Sequence, residues 1–203
     1  MVKTFRQYLD EAAGKGLTIF DIDDTLFHTD AKVYVKKNGK VIHTLTNQEF
    51  NTYKLKDGEE FDFGEFRSAK LFQQTSTPIG KMIKRARAII KRAIPKGSKV
   101  IMATARSDFD DRDTFLDTFR AHGIDIDKIY VERAGNLELG SPAKNKKVIF
   151  QKYLKTGLYK RARLFDDSKQ NLHSFMSLSK KYPDVSFDAY LVKNTGNISN
   201  FKI

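Results

Sequence analysis

The stretch Leu17-Thr18-Ile19-Phe20-Asp21-Ile22-Asp23-Asp24-Thr25 decides the fold and the chemistry expected of this chain. Its first four residues are typical of a buried strand, and two carboxylates spaced i, i+2 follow where that strand should end. Buried like charges repel each other and are poorly solvated, so the pair predicts a bound cation or a shifted pKa. The alternative is a turn that caps a helix, because Asp and Thr are also favoured there.

Apolar periodicity on either side of this stretch predicts strands that alternate with helices. The predicted strands are at residues 17–21, 99–104, 128–131, 162–165 and 188–192, and the predicted helices at 3–13, 78–93, 110–122, 144–154 and 169–181. Asn38-Gly39 between alternating residues predicts a β-hairpin over 32–45, while 46–77 should be irregular with short elements. The pattern predicts an α/β fold with a doubly wound, mostly parallel, five-stranded Rossmann-like sheet.

The composition fits one domain over residues 1–203 and excludes several function classes. The chain is 40% hydrophobic and has no cysteine, which excludes disulfides, thiolate metal sites and cysteine nucleophiles. No apolar run approaches the roughly 18 residues that cross a bilayer, and the N-terminal residues lack the apolar stretch of a signal peptide. We therefore expect a cytoplasmic protein with no membrane partner.

Positive charge is abundant and unevenly distributed. The net charge is +12, with nine basic and no acidic residues over 81–106, and eight basic and no acidic residues over 144–163. Such stretches indicate either a polyanionic partner or lysines and arginines that solvate outward helix faces, and the sequence does not separate the two.

Two more predicted strands end in polar residues. Thr104-Ala105-Arg106 closes the second strand, Asp166-Asp167 closes the fourth, and the helix between them begins with Lys144, Lys146 and Lys147. Because the carboxyl ends of parallel strands share one edge of a sheet, where ligands bind, we expect these side chains to meet there.

This set of residues resembles the four motifs of the haloacid dehalogenase-like (HAD) phosphohydrolases, over about residues 17–192. The first strand with Asp21, Asp23 and Thr25 is similar to motif one, Thr104 to motif two, a lysine at 144–147 to motif three, and Leu164-Phe165-Asp166-Asp167 to motif four. Lys146 is the favoured lysine, because it precedes the inward-facing Ile149 by three residues, and Lys144 is the next candidate.

The resemblance implies a role for each of these residues. Asp21 would form an aspartyl-phosphate and Asp23 would act as general acid and then base. The Thr104 hydroxyl and the Ala105 N–H would hold a phosphoryl oxygen, Thr25 would also bind substrate, and the lysine would neutralise developing charge.

The resemblance also implies a metal. Mg²⁺ would be held by Asp21, Asp166 and the backbone carbonyl of Asp23, while Asp167 would either bind metal or, as we favour, orient the lysine or a water. Arg106 would either clamp substrate or pair with Asp108 or Asp110.

The spacing of the motifs predicts how open the site is. The interval from Asp21 to Thr104 is about twice what a loop-plus-helix crossover needs, so residues 27–77 resemble a small cap inserted after motif one. An open site with basic flanks favours a large anionic substrate such as a DNA or RNA end, which Lys81, Lys84 and Arg85 could contact from the start of their helix.

A weaker resemblance links the motif order to the phosphatase domains of polynucleotide kinase-phosphatases. The sequence contains no P-loop, so we expect no kinase half. The competing functions are a nucleotidase that acts on mononucleotides and, in a different class, a basic nucleic-acid-binding or virion-associated protein. The latter is suggested by a short likeness of residues 3–12 to leader helices of tailed-phage proteins, which would place the chain in a host cytoplasm or a virion. The sequence predicts no oligomeric state.

Overall fold

The computed structural model of this protein describes residues 14–50, 52–137 and 139–203, so the helix predicted at 3–13 lies outside the described residues. Its strands are β1 Lys15–Phe20, β2 Phe27–His28, β3 Val33–Lys37, β4 Lys40–Leu45, β5 Glu59–Asp62, β6 Thr77–Pro78, β7 Lys99–Thr104, β8 Tyr130–Arg133, β9 Tyr159–Asp166, β10 Ser186–Val192 and β11 Ile198–Phe201. Its α-helices are α1 Asn47–Phe50, α2 Gly64–Arg67, α3 Ala69–Thr75, α4 Gly80–Ala93, α5 Arg112–Ala121, α6 Pro142–Leu154 and α7 Lys169–Met176. Single 3₁₀ turns occupy Ile94–Lys96, Ile126–Lys128, Ala134–Leu137 and Ser177–Lys180.

A six-stranded sheet in the order β11-β10-β9-β1-β7-β8 forms the centre of the molecule. Five of its strands are parallel, at the five places predicted, and β11 pairs antiparallel to β10. The α/β class with a mostly parallel sheet is therefore confirmed, whereas the count of five strands is wrong by this edge strand. β11 escaped prediction because it has only four residues, Ile-Ser-Asn-Phe, with weak apolar alternation.

Alternation along the strands divides the apolar side chains between two layers of helices. In β1, Leu17 and Ile19 face the cluster that includes α6 and α7, while Phe20 faces the cluster built with α4 and α5. This period-two pattern puts a packed helical layer on each face of the sheet. Because β1 is flanked by β9 and β7, its carboxyl end lies at the middle of the sheet edge.

Residues 29–76 leave the main sheet and return to it through a short antiparallel ribbon. β2 pairs with β6 at Phe27↔Pro78 and His28↔Thr77, and the residues between them build a second sheet in the order β4-β3-β5. We call residues 29–76 the inserted segment. The predicted hairpin is confirmed as β3 and β4, with Asn38 (φ 52°) and Gly39 (φ 75°) in the left-handed conformation that a tight hairpin turn needs.

The inserted segment has its own small core but also contributes to the main one. Ala31, Val33, Val35, Leu45 and Phe66 form the local cluster, whereas Ala69 and Phe72 of α3 pack into the larger cluster beside α4 and α5. The segment is thus anchored on one face of the main sheet rather than attached by its ribbon alone.

None of the helices in the described ranges is both long and apolar enough to cross a membrane.

Candidate active site

Three strands of the main sheet bring their carboxyl ends to one place. Asp21 directly follows β1, Thr104 ends β7 on one side, and Asp166 ends β9 on the other. The Asp21 N–H donates to the Phe165 carbonyl at 3.0 Å, which continues the β1–β9 pairing up to the first carboxylate. The predicted meeting of these three strand ends is therefore present in the structure.

Lys146 joins two of the carboxylates. Its Nζ lies 2.6 Å from Asp21 Oδ1 and 2.9 Å from Asp166 Oδ2, and the lysine is 1% exposed. The helix α6 places it there because Ser141 caps the N-terminus and Ile149 and Phe150, three and four residues on, are buried on the same side.

The other two candidate lysines at the start of α6 do not reach the carboxylates. The Lys144 side chain is exposed, and its backbone N–H donates to the capping hydroxyl of Ser141. Lys147 donates to Ser177 Oγ at 2.9 Å. The structure therefore favours Lys146. The assignment of Lys144 as a catalytic candidate is corrected, because Lys144 lies two residues earlier, on the exposed side of the helix.

Asp166 is held in place by donors that sequence reasoning missed. The Ser168 N–H donates to Asp166 Oδ1 at 2.9 Å, and Asn171 Nδ2 lies 2.9 and 3.1 Å from its two oxygens. Asn171 is buried in the first turn of α7. An amide five residues after a strand-end Asp was the available signal, but nothing in the sequence distinguished it from a surface residue.

The carboxylates of the site outnumber its one lysine, Lys146, and the pKa values of two of them are raised. Burial raises the pKa of Asp21 to about 7, reinforced by the charges of Asp166 and Asp23 and opposed by Lys146. Burial, with the charges of Asp166 and Asp21, raises the pKa of Asp167 to about 9. For Lys146, burial lowers the pKa, but Asp166 and Asp21 together outweigh it and hold the pKa above its ordinary value. The site is thus short of positive charge.

The donor set fits a hard divalent cation. One oxygen each from Asp21, Asp166 and Asp167 lies within 4.8 Å of the others. Carboxylate oxygens are the ligands that Mg²⁺ and Ca²⁺ take, and such an ion would supply the missing positive charge. Asp167 is part of this set, whereas the side chain of Asp23 points elsewhere.

Asp23 is paired with Arg106. Arg106 Nη2 lies 2.7 Å from Asp23 Oδ1, and Arg106 Nε lies 3.1 and 3.0 Å from the two carboxylate oxygens. Both residues are buried, at 7% and 2% exposure. Of the two alternatives given for Arg106, pairing with Asp108 or Asp110 is wrong: Asp108 pairs with Arg133, and Asp110 accepts the Ala69 N–H.

The inserted segment completes the surroundings of Arg106. Arg106 Nη1 donates to the Phe66 carbonyl and Nη2 to Thr29 Oγ1, both at 3.0 Å. The guanidinium carbon lies 4.7 Å from the ring centres of Phe66 and Phe72. The arginine is therefore fixed by hydrogen bonds in its plane and by aromatic rings against it, which is the environment that suits a buried guanidinium.

The loop that follows β7 is set by its neighbours. The Thr104 hydroxyl accepts the Arg106 N–H at 3.1 Å and lies 3.4 Å from Asp23 Oδ2. Gly135, after β8, donates its N–H to the Arg106 carbonyl, and a Cβ there would lie 2.5 Å from the Ala105 carbonyl oxygen. Ala105 lines the cleft described below, whereas Thr104 is completely buried.

Two of the predicted substrate-binding residues lie away from the cleft. Thr25 is 0% exposed, and its Oγ1 has no hydrogen-bond partner in the described part of the chain. Lys81 Nζ donates to Asn197 Oδ1 at 2.8 Å, in the turn between β10 and β11. The start of α4 does lie at the carboxyl edge of the sheet, as the antiparallel course of the helix requires, but the Lys81 side chain is directed to the β10–β11 turn and does not line the cleft. We therefore correct both assignments.

A cleft of ≈ 1020 Å³ opens above the strand ends. Asp21, Asp23, Lys146 and Asp167 are at its base, and its opposite wall comes from the inserted segment, with Phe50, Phe61, Phe63, Lys36 and Arg67. The volume is at the upper end of the roughly 300–1,000 Å³ typical of ligand sites. The cleft above these residues thus has room for a ligand considerably larger than phosphate.

No protein-family model matches this chain, and no curated protein sequence does.

Proposed function

We propose that this protein is a Mg²⁺-dependent phosphomonoester hydrolase that works through an aspartyl-phosphate, with a HAD-like architecture in which residues 27–77 act as a small cap. The observation that carries the proposal is the buried contact of Lys146 with Asp21 and Asp166 at the base of an open cleft. A binding surface has no need for two buried carboxylates around one lysine, since their desolvation costs stability. A site that must hold a cation and a phosphate has such a need.

Asp21 is the proposed nucleophile. Its carboxylate oxygen attacks phosphorus, the bond from phosphorus to the ester oxygen breaks, and the departing alkoxide takes a proton from Asp23. A water then attacks the aspartyl-phosphate, gives a proton to Asp23, and releases inorganic phosphate and the Asp21 carboxylate. Lys146 keeps Asp21 oriented through the 2.6 Å contact and offsets its negative charge during both steps.

Asp21, Asp166 and Asp167 would hold the metal ion. When bound, Mg²⁺ supplies the positive charge that lets a phosphate dianion approach ionised carboxylates. Asn171 and the Ser168 N–H keep Asp166 in its present orientation by occupying its other acceptor positions.

Arg106 links the acid–base group to the substrate. Asp23 must carry a proton to protonate the leaving group, and a protonated carboxyl loses acceptor capacity for the guanidinium that now holds it. A phosphate dianion in the cleft competes with Asp23 for the same donors. Arg106 thus has two partners in the proposed cycle, Asp23 in the free protein and phosphate in the complex.

The proposed substrate is a phosphate on a large anionic molecule, such as a DNA or RNA end. The cleft is open, and a second, basic groove lies between α4 and the residues after α5. Its cations are Lys84, Arg87, Lys91 and Lys128, and one acid, Asp125, lines it with them. A nucleotidase would use the same catalytic residues on a mononucleotide and would have no use for this groove.

Phosphate release from p-nitrophenyl phosphate, mononucleotides and phosphorylated oligonucleotides tests the proposal. We expect turnover with Mg²⁺, none in excess EDTA, and none from the Asp21→Asn variant, because an amide cannot attack phosphorus. Asp188→Asn is the matched control, since Asp188 is exposed on β10 and lies outside the cleft. Full activity of Asp21→Asn, or turnover that survives EDTA, would contradict the mechanism.

A further inference from the structure

The inserted segment contributes aromatic rings to the cleft that the proposed chemistry does not use. Phe50, Phe61 and Phe63 line the same cleft as Asp21 and Lys146. The ring centre of Phe63 lies 5.3 Å from that of Phe50 and 5.7 Å from that of Phe61. A cleft with carboxylates and a lysine at its base therefore has one wall of planar apolar groups.

Phe63 differs from the other two rings. Phe50 and Phe61 pack against the local core of the inserted segment, which is a sufficient structural reason for them, whereas Phe63 is not part of that packing. It is 39% exposed, and among the described phenylalanines no other is exposed. Phe63 therefore presents an aromatic face to the cleft that no packing of the inserted segment uses, and this face is available to a ligand.

The backbone on both sides of Phe63 is fixed. Asp62 Oδ1 accepts the Gly64 N–H at 2.8 Å, and the other oxygen of Asp62 lies 2.5 Å from Lys36 Nζ. The turn that carries Phe63 is thus closed by a hydrogen bond and an ion pair at the residue before it. A ring held in this way loses little freedom when a ligand stacks on it.

A free guanidinium lies beside the aromatic wall. Arg67 ends α2, lines the cleft, and has an exposed side chain for which the described residues provide no acidic partner. Lys36, the other cation of this wall, is already paired with Asp62. Arg67 is therefore available to an anionic group of the ligand.

We propose that Phe63, backed by Phe50 and Phe61, stacks on the base of the phosphorylated substrate, so that the substrate of this site is a nucleotide, either free or at the end of a strand. The proposal rests on the proposed function, since it assumes that the phosphate of the same molecule meets Asp21. A nucleobase is the planar, apolar-faced group that combines with phosphate in one ligand, and aromatic side chains stack on any base. In a strand, the phosphate of the neighbouring nucleotide reaches Arg67.

Binding to Asp21→Asn protein in Mg²⁺ tests the stacking without turnover. The probes for calorimetry are deoxyadenosine 5′-monophosphate and 3′-monophosphate, with deoxyribose 5-phosphate as the ligand that has no base. We expect at least one mononucleotide to bind about tenfold more tightly than the sugar phosphate, since stacking on one base corresponds to roughly a tenfold or larger effect. Adding Phe63→Ala should remove that difference, and adding Phe63→Trp should keep it.

Leu55→Ala is the matched control, because Leu55 is an exposed apolar residue of the same inserted segment outside the cleft. Phe63→Leu keeps apolar bulk without a planar face and should behave as Phe63→Ala does, which separates stacking from simple apolar contact. Equal affinity for the mononucleotides and the sugar phosphate, or unchanged mononucleotide affinity in Phe63→Ala and Phe63→Leu, would overturn the proposal.

A strand end and a free mononucleotide are distinguished by Arg67. If the ligand is a strand end, Arg67→Gln weakens a phosphorylated dinucleotide more than a mononucleotide; if it is a mononucleotide, the variant weakens both equally. The failure of the two proposals is also distinguishable. Phosphate release from p-nitrophenyl phosphate without base-dependent binding would support the proposed phosphatase activity and contradict the stacking on Phe63. Base-dependent binding without phosphate release would support the stacking and contradict the phosphatase activity.

Discussion

The ion pair between Asp23 and Arg106 has a stability consequence that can be measured. Both groups are buried, so Arg106→Met leaves a carboxylate without its partner, and we expect the free energy of unfolding to fall by about 3–5 kcal/mol. Adding Asp23→Leu removes the unpaired charge and should restore at least about 1 kcal/mol of that loss. Urea unfolding in EDTA measures both. If the loss of unfolding free energy in the double variant equals the sum of the losses in Arg106→Met and Asp23→Leu, the two side chains are not coupled.

Protons and Mg²⁺ should compete at the carboxylates. The folded-state pKa values of Asp21 (about 7) and Asp167 (about 9) lie above the ordinary value of an aspartate, 3.8. At pH values between the ordinary and the raised pKa, the metal-free folded protein therefore binds more protons than the unfolded chain. The free energy of unfolding without metal therefore falls as pH rises from about 4 to about 9.

Mg²⁺ needs the ionised carboxylates, so its stabilising effect should increase over the same range. We expect the difference in melting temperature between Mg²⁺ and EDTA to be larger at about pH 9 than at about pH 6. Thermal unfolding at several pH values, with and without Mg²⁺, measures it. A difference that shrinks with rising pH would mean that these carboxylates do not bind the ion.

Individual residues of the site were predictable to the extent that strand ends determine their position. Asp21 and Asp166 lie at the carboxyl ends of strands, and Lys146 lies one helical turn before the buried Ile149 and Phe150. Strand ends and helical periodicity can both be recognised from the neighbouring residues in the sequence. Asn171 and the Asp23–Arg106 pair were not predictable, because they depend on side-chain direction across the cleft. Thr25 and Lys81 were misplaced for the same reason: proximity in sequence, or at one sheet edge, does not bring a side chain into the cleft.

At the level of elements, α3 is attached to the core by a residue from a different part of the chain. Asp110 Oδ1 accepts the Ala69 N–H at 2.8 Å at the start of α3, and the Asp110 N–H donates to the Arg67 carbonyl. Asp110→Ala should lower the free energy of unfolding by about 1 kcal/mol, because the Ala69 N–H loses its acceptor while the N-cap Ser68 is kept. Asp110→Asn keeps an acceptor and should cost less than half as much. If Asp110→Ala and Asp110→Asn lose the same free energy of unfolding in urea, the hydrogen bond to the Ala69 N–H does not stabilise the protein.

Most elements of the main sheet were predictable, and those of the inserted segment were not. The parallel strands are covered by helices on both faces and are therefore nearly continuous runs of apolar residues. Such runs can be recognised in the sequence without knowledge of the fold. Within residues 46–77, α2 and α3 are short and take their stability from packing Phe66 and Phe72 against Arg106 and the main core. Such elements depend on contacts made elsewhere, so their local sequence is weakly periodic.

For the molecule as a whole, the distribution of charge predicts how nucleic acid should bind. Lys84, Arg87 and Lys91 lie on one face of α4 at i, i+3 and i+7 and line the basic groove, and the described residues offer them no acidic partner. Each contact with a phosphate adds about −0.7 to the log–log slope of affinity against salt for a single strand. Changing all three to Gln should make that slope shallower by about 2.

The control keeps the net charge of the variant but moves the substitutions. Lys160, Lys169 and Lys180 are exposed and lie outside both the groove and the cleft, so their triple Gln variant should retain the original slope. Oligonucleotide affinity measured at several salt concentrations separates the two triples. If both change the slope equally, net charge rather than the groove attracts the strand.

The close approach of Gly135 to the loop after β7 restricts which amino acids position 135 can accept. A side chain at 135 would overlap backbone atoms of Ala105 and Ser107, neither of which can rotate away, so even alanine should displace the loop that holds Arg106. Gly80, which has nothing within 4 Å of its missing Cβ, faces no such restriction. In a library with both positions fully randomised and selected for turnover, position 80 should accept many amino acids. Position 135 should return glycine alone, although no charge of the site would have changed.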